Sequence, residues 1–295
     1  MKAFDVLIRG LAMGAADVVP GVSGGTVALL TGIYQRLLDA IHAIGPQAVV
    51  AWKNHGAKAA WKTIDGPFLL TLFAGIGLSI VSLSKLVLWG LDQHPMLVWS
   101  GFFGLVLASL PLIWRKVKQP PLAHRICLYA GIAIGAGLTF ISPASQELTA
   151  TLAFSSGFIA ICAMILPGIS GSFILILLGV YESILTAIHD RDLLLIASFS
   201  AGALAGLLSF ARFLRWCFQQ APNVMLSLMT GFIAGSLIKV YPYHGLDSNL
   251  PLWPNHADFD SMSWEQHAGV FVAALVGIGI VALLNMKHLL PYCMS

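Results

Sequence analysis

Apolar runs close to the thickness of a bilayer recur along the whole sequence, and they constrain the fold more than any other feature. A run of about 20 apolar residues is long enough to cross the hydrocarbon core as an α-helix. Charged residues make up only 10% of the 295-residue chain, against about 25% in soluble domains. Because a soluble domain could not cover its surface with so little charge, we exclude a soluble enzyme, a nucleic-acid-binding protein and a disordered chain. The sequence predicts an all-α polytopic membrane protein.

The sequence also contains an internal repeat. PGVSGGTVALLTGIYQRLLDAI (20–41) aligns without gaps with PGISGSFILILLGVYESILTAI (167–188). The identical pairs include Pro20/Pro167, Ser23/Ser170, Gly24/Gly171, Gly32/Gly179 and Tyr34/Tyr181. Chance seldom aligns Pro, Gly, Ser and Tyr together in two apolar segments, so we interpret the match as a duplication.

A second stretch repeats at a shorter offset, pairing Lys85 with Arg212 and Pro95 with Pro222. We therefore predict two homologous halves, 1–146 and 147–295, with the polar segment 46–66 as an insertion in the first. Each half is predicted to hold a broken apolar segment, interrupted at PGxSG, followed by three continuous spans. The predicted segments are 4–42, 68–91, 96–114 and 126–143 in the first half, and 148–188, 193–211, 224–240 and 268–286 in the second.

The distribution of basic residues favours one topology. If each broken segment is a re-entrant hairpin and the N-terminus is inside, the cytoplasmic side receives nearly all Lys and Arg residues. The outside then keeps only Arg191 and Lys239, as the positive-inside rule requires. Three true spans per half is an odd number, so the two halves must have opposite orientations. This is the inverted repeat of many secondary transporters, and it places both termini in the cytoplasm.

The doubled PGxSG motif is the main candidate for a binding site. Proline breaks a helix and glycine tolerates unusual backbone angles, so each motif predicts a break followed by the N-terminus of a half-helix. Free amides at such a terminus attract anions, above all phosphate or carboxylate. The alternative is a tight turn with small residues for packing. The candidate phosphate-binding residues at the breaks are Gly21, Ser23, Gly24, Gly25, Thr26, Gly168, Ser170, Gly171 and Ser172.

Charged residues within the apolar segments extend this candidate site. Lys85 and its repeat partner Arg212 are predicted phosphate ligands, although either side chain could instead extend to an interface. Asp17 is either a proton acceptor or a counter-ion for Lys85, and Glu182 is a second candidate for proton coupling. Met164 stands at the position equivalent to Asp17, so any coupling would be asymmetric. No spacing resembles a metal site, and we expect no metal or cofactor.

MGAADVVPGVSGGTVALLTGIY and MILPGISGSFILILLGVYESIL together resemble a bacterial integral-membrane family of undecaprenyl-phosphate (polyprenyl-phosphate) translocases. The resemblance covers nearly the whole chain. It implies a non-enzymatic transporter in the bacterial inner membrane. Such a protein returns the carrier lipid from the outer to the cytoplasmic leaflet for reuse in cell-envelope synthesis. Its partners would be the lipid and the bilayer, and the sequence leaves open whether the chains form a homo-oligomer.

Two other functions remain as alternatives. A secondary transporter of a small soluble anion would use the same anion site with a closed aqueous path. A membrane undecaprenyl-pyrophosphate phosphatase would need an arginine in the loop and paired glutamates on a helix. Gly24 and Gly171 stand at the positions of that arginine, and the sequence contains no ExxxE pair. The phosphatase is therefore the weaker alternative.

Overall fold

The computed structural model describes residues 2–18, 23–117, 122–140, 148–243 and 263–289, and this part of the chain is helical, without strands. The first half contains α1 (Ala3–Val18), α2 (Gly24–Leu30), α3 (Tyr34–Ala43), α4 (Pro46–His55), α5 (Ala57–Thr63), α6 (Gly66–Gln93), α7 (Pro95–Trp114) and α8 (Leu122–Thr139). The second half contains α9 (Ala150–Ile165), α10 (Gly171–Leu177), α11 (Tyr181–His189), α12 (Leu193–Gln220), α13 (Pro222–Val240) and α14 (Trp264–Leu289).

The order and lengths of the helices agree with the sequence repeat. The half-helices α2 and α10 each have 7 residues, and the long helices α6 and α12 each have 28. The segment 46–66, predicted as an insertion, forms α4, α5 and the turn into α6, and no helix lies between α11 and α12. The division into halves at residue 146 and their opposite orientation stay predictions.

Each broken segment is interrupted twice. The first interruption precedes α2 and α10, which begin at Gly24 and Gly171, the last residue of each PGxSG motif, as predicted. The second, which was not predicted, follows α2 and α10 at Gly32 (φ 74°) and Gly179 (φ 69°). Both glycines end a helix in the left-handed region, which residues with a Cβ seldom adopt. As a result α10 and α11 meet at 106°.

Five helices of the described part are long and apolar enough to cross a membrane: α7, α8, α12, α13 and Trp264–Ala282 of α14. Gly66–Ser82 of α6 meets the same criteria together with α5, at an angle of 66°. The chain is thus an integral membrane protein. Pro95 and Pro222 begin α7 and α13, because a first-turn residue needs no amide proton.

Two helices have limits that differ from those of the predicted spans. We expected a span to end at 211, but α12 continues to Gln220. The segment from Arg212 to Ala221 contains no proline or glycine that would stop a helix before Pro222. We also expected a span over 126–143. The helix α8 begins earlier, at Leu122, and ends at Thr139.

The chain forms two compact units, and each takes helices from both halves of the sequence. The first unit is Met1–Ile80 with Ile141–Pro222, and the second is Val81–Phe140 with Asn223–Ser295. Within the first unit, Gly10 and Gly14 bring α1 against α6, while Gly202 and Gly206 bring α12 against α9. A methyl group at any of these four positions would collide with backbone of the facing helix.

The second unit is packed in the same way. Gly131 of α8 faces Gly231 of α13, and Gly104 of α7 lies against Ala274 of α14. Glycines at four-residue spacing therefore serve close helix packing in both units.

Candidate functional site

The two PGxSG motifs meet within the first unit. The Ser23 hydroxyl lies 3.3 Å from the Met164 carbonyl oxygen and 3.4 Å from that of Leu166, to which it donates. In return, the Gly168 amide donates to Thr26 Oγ1 over 2.9 Å. These bonds join residues more than 140 positions apart in the sequence. Ser23 and Thr26 are almost wholly buried, so the two breaks form one polar centre inside an apolar unit.

Tyr34, at the start of α3, adds a third connection between the breaks. Its hydroxyl donates to the Ile165 carbonyl oxygen over 3.0 Å, and its ring packs edge-on against Phe218 of α12, with centroids 5.7 Å apart. Tyr34 is only 2% exposed. Tyr34 is one of the repeated residues, but its role was not predicted from the sequence. A buried tyrosine usually finds a partner for its hydroxyl, and this rule, applied to the repeat, could have identified it.

Asp17 accepts a hydrogen bond from the amide at the start of the first half-helix. Its Oδ1 accepts from the Gly24 amide over 2.7 Å, and the next amide, of Gly25, donates to Ser23 Oγ over 3.1 Å. A helix N-terminus stabilises negative charge, and here the chain itself supplies the anion. The first half-helix therefore offers its amides to another anion only after Asp17 has moved.

The second half-helix differs from the first. Ser170 precedes α10 but makes no capping bond to the helix amides. Its hydroxyl instead lies 2.9 Å from that of Ser172. Met164 replaces the aspartate, so no carboxylate is available at the equivalent position. The pair of hydroxyls at α10 is thus the part of the polar centre best able to accept a new anionic partner.

The predicted basic ligands lie on long helices. Lys85 is an exposed residue of α6 in the second unit, and its predicted role in phosphate binding stays a prediction. Arg212 lies in the first unit, where a Cβ at Gly45 would be 2.5 Å from its terminal nitrogen. Gly45 follows α3 at the end opposite Tyr34, and a ten-residue helix is about 15 Å long. Arg212 therefore lies well away from the interlocked motifs.

The remaining predicted site residues are Glu182 and glycines of the two motifs. Glu182 is exposed in the first turn of α11, a favourable place for a carboxylate. Gly24, Gly25 and Gly171 are buried, and a Cβ on Gly25 would be 2.9 Å from the Ile165 carbonyl oxygen. Gly21 lies outside the described residues.

Comparison with known proteins identifies the family of this chain. The sequence profile described as undecaprenyl phosphate translocase-like matches residues 13–251, which include both motifs. The chain belongs to this undecaprenyl phosphate translocase-like family. The resemblance drawn from the two motifs is confirmed.

Two relatives of this family member carry the same name. A polyprenyl-phosphate transporter of Vibrio cholerae is 45% identical over 243 residues, covering 82% of this chain and 79% of the relative. A polyprenyl-phosphate transporter of Staphylococcus aureus is 31% identical over 265 residues, covering 84% and 88%. No solved structure matches the chain. Because both relatives are named transporters, the prediction that the chain is not an enzyme is confirmed.

Proposed function

We propose that this protein moves a polyprenyl-phosphate carrier lipid from the outer to the cytoplasmic leaflet of the bacterial inner membrane, for reuse in cell-envelope synthesis. The observation that carries the proposal is the interlock of the two PGxSG breaks in a chain of the undecaprenyl phosphate translocase-like family. Irregular backbone within a membrane is tolerated only where it is buried in protein or lines a cavity. An inverted repeat with re-entrant hairpins would give such a site access from both leaflets.

The substrate's physics fits a transporter that performs no covalent chemistry. The prenyl tail is stable in lipid, whereas the phosphate head cannot cross the hydrocarbon core unaided because of the cost of removing its water. The protein has only to replace that water with hydrogen-bond donors. Hydroxyls and backbone amides at the breaks supply such donors without adding fixed charge to the apolar unit.

The head group binds at the second break in this proposal. Ser170 and Ser172 bond to each other and can turn both hydroxyls toward a phosphate. At the first break, Ser23 and Thr26 already bond to backbone groups, and Asp17 holds the Gly24 amide. The first break thus shapes the site, while the second contacts the phosphate.

Transport by variants in proteoliposomes tests this placement. The double change Ser170→Ala and Ser172→Ala should weaken lipid binding by at least about 10-fold, because a hydrogen bond to a charged group is worth about 1.5–3 kcal/mol. The matched control is Ser100→Ala, since Ser100 is a buried serine that bonds to a carbonyl of its own helix. Movement of a fluorescent prenyl phosphate between leaflets gives the rate.

Two outcomes would contradict the proposal. If the double variant transports at the wild-type rate, the second break does not hold the head group. If excess inorganic phosphate blocks transport of the lipid and is itself carried across, the protein is a transporter of a small soluble anion.

A further inference from the structure

The end of α3 remote from the two breaks carries a group of charged residues that the proposed head-group site does not use. Arg212 and Arg215 of α12 lie there beside Asp39, His42 and Gly45; these five residues are called the α3-end cluster below. The helices run antiparallel, since Tyr34 meets Phe218 at one end and Gly45 meets Arg212 at the other. The cluster is therefore a separate place on the same pair of helices.

One arginine of the cluster is neutralised and the other is not. Arg215 Nε donates to Asp39 Oδ1 at 2.5 Å. Arg212 makes no ion pair or hydrogen bond with any residue that the structure describes. Arg36, elsewhere on α3, is an arginine whose contacts within the protein indicate a structural role. It forms a bidentate pair with Asp65 and stacks on Phe68. Arg212 lacks every contact of that kind.

His42 adds a second polar group that has no hydrogen-bond partner among the described residues. This group, the ring nitrogen Nδ1, is buried, and the ring lies within electrostatic range of both arginines. A buried polar atom without a partner is costly, and such atoms in native structures call for an explanation. A bound group with oxygen acceptors would explain both His42 and the free guanidinium.

Gly45 leaves room for the guanidinium beside the end of α3. A Cβ there would be 2.5 Å from the terminal nitrogen of Arg212, so any larger residue would push that nitrogen away. The φ of Gly45 is 178°, an extended value open to all residues. The glycine therefore leaves space for the Arg212 side chain, and the backbone angle at this position does not require it.

The equivalent end of the second half carries the opposite charge. His189 is the repeat partner of His42, but Asp190 and Asp192 follow it, and Asp192 stands where the first half has Gly45. Asp192 caps α12 through bonds to the amides of Leu194 and Leu195. Arg191 lies between the two aspartates, so this end carries a net negative charge, whereas the α3-end cluster carries a net positive charge.

We propose that the α3-end cluster is a second binding site for the phosphomonoester head of the lipid, at which the head group rests after leaving the breaks. This inference rests on the proposed function. Arg212 supplies a guanidinium fork that matches phosphate oxygens, His42 adds a ring nitrogen, and Arg215 stays paired with Asp39.

Photo-cross-linking locates the head group directly. The probe is a prenyl monophosphate with a diazirine next to the phosphate, added to the full-length protein in phosphatidylcholine nanodiscs. We expect cross-links at 42–45 as well as at 168–172. Arg212→Gln should reduce those at 42–45 roughly 10- to 150-fold, the loss expected for one charge-assisted bond, and leave those at 168–172 unchanged. Arg125→Gln, which removes an exposed arginine of α8, is the matched control and should change neither.

A second variant keeps every charge in place. Gly45→Ala adds only a methyl group that displaces the flexible end of Arg212, so the protein should fold normally and lose cross-links at 42–45. Unchanged cross-links at 42–45 in both Arg212→Gln and Gly45→Ala would overturn the inference. It would also be overturned if phosphatidylglycerol displaced the probe from 42–45 as well as unlabelled prenyl phosphate does, because the cluster would then be a general contact for anionic lipids.

The same experiment separates this inference from the proposed function. Cross-links at 42–45 without any at 168–172 would contradict the head-group placement at the breaks and leave the α3-end cluster supported. The reverse pattern would support the breaks and reject the cluster. Inorganic phosphate, added in excess, distinguishes the lipid from the free anion, and we expect it to leave the cross-links at 42–45 in place.

Discussion

A single carboxylate distinguishes the two breaks, and its charge can be removed with little change of shape. In Asp17→Asn the amide oxygen can still accept from the Gly24 amide, while the negative charge and the ability to carry a proton are lost. If Asp17 takes up a proton when phosphate enters, the variant should bind lipid normally but transport at a rate that no longer responds to a pH gradient. Transport in proteoliposomes with and without an imposed gradient measures this.

Glu182 supplies the control for Asp17. It is the other candidate for proton coupling, but it is exposed at the start of α11, so Glu182→Gln should keep the response to the gradient. Full gradient-dependent transport by Asp17→Asn would remove Asp17 from the coupling mechanism, and a lost response in Glu182→Gln would assign the role to Glu182 instead.

The hydroxyl of Tyr34 offers a test of how strongly the two breaks are joined. Tyr34→Phe removes its bond to the Ile165 carbonyl oxygen and should lower the free energy of unfolding by about 1 kcal/mol. Tyr181→Phe is the matched control, because Tyr181 is the repeat partner and its hydroxyl makes no hydrogen bond within the described residues. Thermal unfolding in detergent should show a lower midpoint for Tyr34→Phe only. Equal midpoints for the two variants would mean that the bond contributes nothing.

Between helices, stability depends on how closely the backbones approach. Gly202→Ala should destabilise the first unit by about 1–3 kcal/mol, because the added methyl would collide with the Phe154 carbonyl of α9. Gly77→Ala is the control, since a Cβ on Gly77 of α6 meets nothing within 4 Å and alanine favours a helix. Its unfolding midpoint should stay the same or rise. A Gly202→Ala protein as stable as wild type would show that α9 and α12 can separate without cost.

Helices were easier to predict than their interruptions. The spans could be predicted because runs of apolar residues and the prolines at 95 and 222 are local signals. The breaks at Gly32 and Gly179 were missed because one glycine in an apolar run also suits close packing, and only the positive φ distinguishes the two roles. The helix α12 continues past the predicted span through Arg212 and Arg215, because arginine is a good helix former.

At the scale of the whole molecule, the predicted topology is open to a direct test. Both termini and the segments 43–66 and 115–125 should be cytoplasmic, and 92–95, 144–148 and 241–266 should be outside. In a background without Cys127, Cys162, Cys217 and Cys293, Lys58→Cys should react with an impermeant thiol reagent only after the membrane is opened. Asp92→Cys should react in intact cells. Labelling of position 58 from outside would overturn the re-entrant arrangement.

The residues that form the breaks could be predicted from the sequence, but the contacts between them could not. The doubled PGxSG motif predicted the start of a half-helix in each half, and α2 and α10 begin at Gly24 and Gly171. The structure adds that the two breaks bond to each other. No sequence pattern indicated that Asp17 would accept a hydrogen bond from the Gly24 amide, or that Arg212 would lie beside Gly45. Both contacts depend on how the helices pack. The segments 19–22 and 244–262, which include Gly21 and most of the predicted outer loop, lie outside the described residues.

The bonds between the breaks also have a consequence for biosynthesis. The ribosome makes the chain from its N-terminus, so Ser23 and Tyr34 enter the membrane long before Met164, Ile165 and Leu166 exist to accept their hydrogen bonds. Until then the seven-residue helix α2 and the hydroxyls beside it lack these hydrogen-bond partners. The insertion machinery must therefore shield them from the lipid. The first half of the chain, made alone, should therefore be degraded rather than accumulate. Supplying the second half as a separate polypeptide should rescue it.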